Sequence, residues 1–418
     1  MKILLLSTYE HTGGAAIAAS RLLHALQGQG VEATMLCRRN IRVGWLRRLC
    51  PPLARALEKQ SWTSIMERLV IWIGNGFSKK DLWATDIALF GQDITKTKEY
   101  KEADVVHLHW VNQGFLSLGT IGKIARSGKK VVWTMHDEWP LDRVEHYTNS
   151  PTPAPPLGEG EVTEASRDIS PSPRGGVGVG RKARIYSLHT ITFVTCSRWL
   201  KEISEKKPLA QGQRILSIPN PIDSRVFAPL TAQQREEAAT ALGLPRGKKL
   251  VLFVAQKVDD ERKGIRYLDE AVRMLMEETA GTAVPTGLNA PENDIAVVAP
   301  GRDLPYINKV EDMARLYACV DVFVTPSLSD NLPNTIMEAM ACGTPCVGFN
   351  VGGIPEMIDH KENGYVARYK DARDLADGIR YVISEENHAR LSQAAREKVM
   401  RCYSEEAVAR RYIAVYGS

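Results

Sequence analysis

Two doubly wound α/β domains are predicted for this chain, on three observations. At 418 residues it exceeds the size at which a single hydrophobic core keeps growing. Short apolar runs recur between helical stretches: residues 2–8, DVVHLHW, VVWTMH and ITFVTCS, then KKLVLFVAQ, IAVVAPG and DVFVTPS. Runs of this kind, buried on both faces, read as parallel strands joined by crossover helices. Several of them end in glycine or polar residues, the place where open α/β sheets bind ligands.

Composition excludes several classes. With 44% hydrophobic and 25% charged residues the chain belongs with globular proteins, and its net charge of +5 argues against a dedicated nucleic-acid binder. Seven irregularly spaced cysteines without a CxxC pair point to reduced thiols and a cytoplasmic setting. MKILLLSTYE reads as a first strand and not as a signal peptide. No apolar run is long enough for a transmembrane helix.

In chain order, the first strand runs into His11, Thr12, Gly13 and Gly14 and then a small-residue helix from about Ala15 to Gln27. A double-glycine turn at a helix start lets backbone donors approach a phosphate or a sugar, and equally makes a tight strand-to-helix turn. It is not a GxGxxG fingerprint, so a dinucleotide is not indicated. Residues 38–80 carry ten Arg and Lys against Glu58 and Glu67, ten minus two or +8, with Trp45, Trp62 and Trp72 interleaved. That mixture suits an anionic membrane surface, or a solvated basic face over ordinary helix packing.

DVVHLHW places His107 and His109 on one strand face. With no third ligand nearby, cleft-lining or core positions are favoured over zinc. VVWTMH delivers His136 and Asp137 just past a strand end, where an imidazole can bond a sugar hydroxyl or serve as a structural partner. Residues 149–182 are rich in Pro, Gly, Ser and Glu and read as a flexible loop, with order resuming near Arg184. A domain boundary is expected at 215–230, around IPNPID.

In the second half, Arg262 and Lys263 precede a helix from about Ile265 to Glu278; paired cations at such a turn suit a diphosphate, or are solvated loop charges. The stretch TPSLSDNLPNTIMEAMACGTPCVGFNVGGIPE, residues 325–356, puts Asp330 before a helix and Glu338 on it. Backbone donors around Asn334 and Thr335 at the helix start favour a phosphate, and carboxylates beside it can hold ribose hydroxyls or serve as caps.

This stretch resembles the donor-site signature of the family 4 retaining glycosyltransferases, in which two acids flank seven residues ahead of an EAMA-type helix and a G-x-P-V strand. Glu338, Ala339, Met340, Ala341, Gly343, Pro345 and Val347 match it; Asp330 stands where the family usually has Glu. Lys263-Gly264 matches the family's donor-binding Lys-Gly, while its upstream Gly-Arg is absent. HLHW followed by VVWTMHDEWP resembles the branch acting on extracellular or capsular polysaccharides.

The resemblance implies the GT-B fold, two Rossmann-like domains facing across a cleft: an acceptor-side domain over 1–215, a nucleotide-sugar domain over 216–400, and a terminal helix at 401–418 crossing back. It implies retaining transfer of a sugar from a nucleotide diphosphate sugar to a glycan or polyprenyl-linked acceptor, without metal or other cofactor. By the same resemblance Glu338 holds the ribose, Asp330 faces the donor sugar, Arg262 and Lys263 meet the diphosphate and Gly13-Gly14 approach it. His136 lies by the sugar or the acceptor hydroxyl, with His109 and Asp137 on the acceptor side. The expected location is the cytoplasm, with peripheral contact at the inner membrane face through 38–80. Rival expectations are a nucleotide-sugar epimerase on the same fold, or a catalytically silent sugar-binding subunit of a polysaccharide assembly complex.

Overall fold

A computed structural model describes residues 1–40, 61–78, 82, 85–142, 175–255, 257–258, 260–280 and 294–418. The chain divides into two compact units, residues 1–149, 161–218 and 409–418 in the first, 150–160 and 219–408 in the second.

The first unit contains β1 (Lys2–Ser7), α1 (Gly14–Gly28), β2 (Glu32–Cys37), α2 (Trp62–Gly74), α3 (Lys98–Glu102), β3 (Val105–Leu108), α4 (Leu118–Ala125), β4 (Lys130–Met135), α5 (Gly175–Tyr186), β5 (Ile191–Thr195), α6 (Arg198–Glu205) and β6 (Arg214–Ser217). Its strands form one parallel sheet in the order β2-β1-β3-β4-β5-β6. The runs read as strands are buried throughout in β3 and β5. Such burial on both faces is why they show no apolar/polar alternation.

The second unit contains α7 (Ala232–Ala241), β7 (Lys249–Leu252), α8 (Ile265–Ala280), β8 (Ile295–Val298), α9 (Val310–Cys319), β9 (Val322–Thr325), α10 (Asn334–Ala341), β10 (Cys346–Phe349), α11 (Ile354–Met357), β11 (Gly364–Ala367), α12 (Ala372–Ile383) and α13 (Glu385–Cys402). Its sheet is again parallel, ordered β11-β10-β9-β7-β8. The final helix, α14 (Glu405–Gly417), begins in the second unit and ends in the first.

Two expectations need correction. Residues 175–182, assigned to the flexible loop, open helix α5, and Lys182 within it is buried. Its ammonium bonds the Trp139 carbonyl at 2.5 Å and the Asp142 carbonyl at 2.8 Å, and sits 3.7 Å from the Trp139 ring centre, contacts that order this end of the segment. Residues 149–174 lie outside the described residues. Within 38–80, Arg38 and Arg68 are not solvated: both are buried. Arg38 bonds the Gln113 carbonyl at 2.8 Å, and Arg68 meets Asp86 and the carbonyls of Leu82 and Thr85. A buried cation is tolerated there because each has such partners. Arg42 through Lys59 and Lys79-Lys80 lie outside the described residues.

Candidate functional site

In an open parallel sheet, ligands bind beyond the carboxyl ends of the strands where the strand order reverses. The second unit reverses between β7 and β9, since the chain goes outward to β8 and returns to the other side of β7. Lys263 follows β7 and Asp330 follows β9, and their side chains meet there: Nζ lies 2.7 Å from Oδ2. Their separation of 67 positions in sequence is spanned because β7 and β9 are neighbours.

Two glycines make this approach possible. Gly264 ends the short 3-10 turn Glu261–Lys263 in the left-handed region at φ 68°, and a Cβ there would lie 2.0 Å from the Pro326 carbonyl oxygen. Gly352, at φ 57°, packs so closely on the Asp330 loop that its Cβ would stand 1.8 Å from the Asp330 carbonyl oxygen. The loop is tied further by Leu328 N–H to the Arg262 carbonyl at 2.7 Å and Gly353 N–H to the Asn331 carbonyl at 2.8 Å. Lys263 and Asp330 are therefore presented by a backbone fixed on both sides.

Arg262 is not brought to Asp330. Its guanidinium chelates Asp260, with Nη2–Oδ2 at 2.7 Å and Nε–Oδ1 at 3.1 Å, and its side chain is exposed. Those bonds hold the Asp260 carboxyl below its ordinary range.

α10 starts at Asn334 behind Pro333, and no side chain caps it. Asn334 Oδ1 accepts from Asn220 Nδ2 at 3.2 Å, and Thr335 follows half-buried. Glu338 stands on the second turn, and Tyr317 of α9 donates its hydroxyl to Glu338 Oε2 at 3.2 Å. Tyr317 is fully buried, and burial with the Glu338 charge holds its hydroxyl protonated, well above the usual tyrosine range. Sequence reading missed both Asn220 and Tyr317. An asparagine between two prolines and a tyrosine on the buried face of a helix were the available signals, and neither names a partner.

The first unit reverses between β1 and β3. Gly13, at φ 89°, ends the β1 loop as the N-cap of α1, which has no side-chain cap; Gly13 and Gly14 are exposed, and nothing lies within 4 Å of a Cβ built on Gly13. The loop after β3 is bonded to that after β1 through Thr8 N–H to the Trp110 carbonyl at 2.8 Å.

His109 and His136 follow the adjacent strands β3 and β4 and meet, Nδ1 to Nε2 at 3.2 Å. His109 is buried and its Nε2 has no protein partner, whereas His136 is half-buried. His107, below them, bonds Tyr416 Oη and Thr134 Oγ1, each at 2.7 Å, and Thr134 bonds Tyr412 Oη at 2.8 Å. Burial lowers all three imidazoles: His107 to about 3, His136 to about 4, and His109 well below its ordinary value. All three are neutral near pH 7, so each ring has one donor and one acceptor nitrogen.

Asp137, expected on the acceptor side, turns inward. It is buried and accepts from Trp110 Nε1 at 3.0 Å and Trp139 N–H at 3.1 Å, which shapes the loop after β4. Among the described residues no group of three or more His, Cys, Asp or Glu could hold a metal ion.

Two parallel α/β units, each with polar groups at its switch point, are the architecture of the GT-B glycosyltransferases. Sucrose-phosphate synthase from Thermosynechococcus elongatus superposes with a TM-score of 0.61 at 18% identity, covering 100% of this chain and 98% of that one. HepE from Anabaena, solved in complex with UDP, gives 0.57 at 14% identity over all of both chains.

The family model "Glycosyl transferases group 1" matches residues 248–385, the span that carries Lys263, Asp330 and Glu338. The D-inositol 3-phosphate glycosyltransferase of Mycobacterium marinum is 28% identical over 343 residues, 77% of this chain and 66% of that protein. The N-acetyl-alpha-D-glucosaminyl L-malate synthase of Bacillus anthracis is 35% identical over 112 residues, 27% of this chain and 29% of that protein. The family model covers about a third of this chain, and the alignments span just under two thirds or less of these two relatives' own lengths.

Proposed function

We propose that the protein is a retaining glycosyltransferase that moves a sugar from a nucleotide diphosphate sugar to a glycan or polyprenyl-linked acceptor in cell-surface polysaccharide synthesis. The observation that carries the reading is the meeting of Lys263 and Asp330 at the switch point of the second sheet, within the span matched by the group 1 family. HepE has also been solved in complex with UDP-glucose, which supports a nucleotide sugar as the ligand class for this fold.

In this reading the diphosphate lies against Lys263 and the start of α10 at Asn334 and Thr335, where positive charge and the helix-start dipole offset the charge that builds as it leaves. Asp330 orients Lys263 before donor binding and faces the sugar afterwards. Arg262 reaches the diphosphate only by leaving Asp260, so Lys263 is the principal cation. Glu338, held by Tyr317, takes the ribose hydroxyls.

In the first unit the Gly13-Gly14 turn offers backbone donors to the donor phosphates or the acceptor. His136, neutral at physiological pH, accepts a hydrogen bond from a hydroxyl of sugar or acceptor, and His109, bonded to it from below, supports its ring on the acceptor side. Transfer with retention then needs no protein nucleophile. The anomeric C–O bond to the diphosphate breaks, the acceptor oxygen bonds the same face, and the acceptor proton passes to the departing phosphate oxygen. No metal or other cofactor enters this scheme.

Peripheral contact with the inner face of the membrane belongs to the same reading, because a polyprenyl-linked acceptor resides there. Purified protein incubated with UDP- and GDP-sugars, with and without lipid-linked acceptor, tests it. Acceptor-dependent release of nucleotide diphosphate is expected; acceptor-independent isomerisation of the sugar, or tight nucleotide binding without turnover, overturns it.

A further inference from the structure

Beyond the carboxyl ends of the first sheet, the loops that carry His109 and His136 are joined to one buried carboxylate. Asp86, 1% exposed, accepts through Oδ1 from Arg68 and from Gln113 N–H at 3.1 Å, and its own carbonyl accepts from Trp139 Nε1 at 2.8 Å. Gln113 extends the connection: its carbonyl accepts from Arg38 Nη1 at 2.8 Å and its Oε1 from Tyr9 Oη at 2.7 Å. Segments following β1, β2, β3 and β4 therefore converge on Asp86. Gln113 stands in the left-handed region at φ 53°, which a residue with a side chain keeps only where its surroundings hold it, as these bonds do.

A second carboxyl shares this site. Glu67 of α2 is fully buried; its Oε1 accepts from Ile87 and Ala88 N–H at 3.0 and 2.7 Å, and its Oε2 is buried with no hydrogen-bond partner among the described residues. Arg68, beside it on the helix, is directed to Asp86 and to the carbonyls of Leu82 and Thr85. Arg38 and Lys182 also act on the Asp86 charge, and both donate to backbone carbonyls. Two carboxyls in a dry site do not both ionise against one guanidinium. Asp86 holds the charge because Arg68 and Gln113 N–H stabilise it, and Glu67, bonded by backbone N–H groups, holds the proton on the oxygen that accepts from nothing. Burial and the Asp86 charge accordingly raise Glu67 to about 7.

We propose that Asp86 is the positioning residue for the loops that present His109 and His136, and that the proton on Glu67 governs its hold: neutral Glu67 keeps these loops fixed, and ionised Glu67 releases them. Loss of the proton sets two buried carboxylates against each other. Relief requires α2 and the 85–88 segment to part, and the bonds from Arg68 to Asp86 and from Ile87 and Ala88 to Glu67 cross that junction. As Asp86 moves, Gln113 loses its N–H acceptor and Trp139 its indole acceptor, and the loop after β4 follows through the bonds of Asp137 to Trp139 and Trp110. Weaker acceptor binding above neutral pH is the catalytic consequence, and it rests on the proposed function. The response of the loops does not.

Hydrogen–deuterium exchange of the full chain, without nucleotide or acceptor, tests this at about pH 6 and about pH 8, with exposure times scaled to the intrinsic exchange rates. Peptides covering 85–92, 109–118 and 136–142 are expected to lose protection about tenfold or more at the higher pH, while those covering 322–341 in the second unit change little. His107 and His136, lowered to about 3 and about 4, do not titrate in this window, whereas Lys182, lowered to about 7 by burial, does. Glu67→Gln separates it from Glu67. The amide keeps the Oε1 acceptor and cannot ionise, so the variant's loops are expected to stay protected at both pH values.

Asp86→Asn, which removes the charge that Arg68 meets, is expected to exchange rapidly in 109–118 at both pH values while 322–341 stays protected. Equal wild-type protection at the two pH values overturns the proposal, and that comparison needs no variant to fold. So does a Glu67→Gln chain whose loops loosen with pH as those of the wild type do, or an Asp86→Asn chain as protected as wild type at the lower pH. Release of nucleotide diphosphate bears on the proposed function alone, so the two readings fail separately.

Discussion

Tyr317 and Glu338 illustrate how much of this site depends on single contacts. The tyrosine hydroxyl is fully buried, and its hydrogen bond fixes one carboxylate oxygen of a half-buried glutamate. Tyr317→Phe removes that bond while keeping the ring, so KM for the donor is expected to rise about tenfold with kcat little changed, the value of one charge-assisted hydrogen bond. Steady-state kinetics on variant and wild type check this; an unchanged KM would separate Tyr317 from the ribose contact.

Lys263→Met should act on the other parameter, lowering kcat by about a hundredfold or more, because its charge is needed as the diphosphate departs. Gly352→Ala places a methyl group 1.8 Å from the Asp330 carbonyl oxygen at a backbone angle that disfavours side chains. The Asp330 loop must move, and a stability loss of about 2–4 kcal/mol in urea titration is expected together with loss of activity.

At the scale of elements, β3, β4 and the last turns of α14 share one buried polar network: His107 with Tyr416 and Thr134, Thr134 with Tyr412, and His109 with His136. The three imidazoles are lowered, His107 to about 3 and His136 to about 4, so they stay neutral in the folded unit where an unfolded chain would protonate them. A depressed base binds fewer protons folded than unfolded, so the stability it contributes is intact above about pH 6.5 and is lost as pH falls toward the folded values.

Glu67 acts oppositely. Burial and the nearby Asp86 charge raise it to about 7, so its contribution is present in acid and lost as pH rises through about 7. Three groups against one predict a net fall of the urea midpoint between about pH 6.5 and 5, and Glu67→Gln is expected to steepen it. A flat profile in both proteins would contradict the neutral cluster. Truncation after Val408 removes Tyr412 and Tyr416 and leaves His107 and Thr134 without these partners, and is expected to destabilise the first unit by about 3 kcal/mol or more, read from its thermal transition.

Across the whole molecule, the parallel architecture was legible because strands buried on both faces are written as continuous apolar runs. ILLL, VVHL, ITFV and VFVT each became a strand. EATMLC of β2 and GYVA of β11 lie at sheet edges with mixed burial or little apolar content, and nothing in their local pattern marked them. The acidic stretch at 330–338 and the Lys-Gly turn could be found one at a time. Their meeting could not, because it depends on β7 and β9 being neighbours and on Gly264 and Gly352 allowing close approach.

Burial of Arg38 and Arg68 was hidden for the same reason: a basic run reads as solvated until its carbonyl and carboxylate partners are placed. The inward turn of Asp137 likewise depends on two tryptophans that adjacent strands bring to it.

The account stands on Glu338 and Lys263 serving one donor site, and acceptor-dependent release of nucleotide diphosphate measures this most directly. With the donor that wild type uses, Glu338→Ala is expected to lower kcat/KM by about a hundredfold or more, mainly through KM, and Lys263→Met mainly through kcat. Release at the wild-type rate by Glu338→Ala would contradict the account.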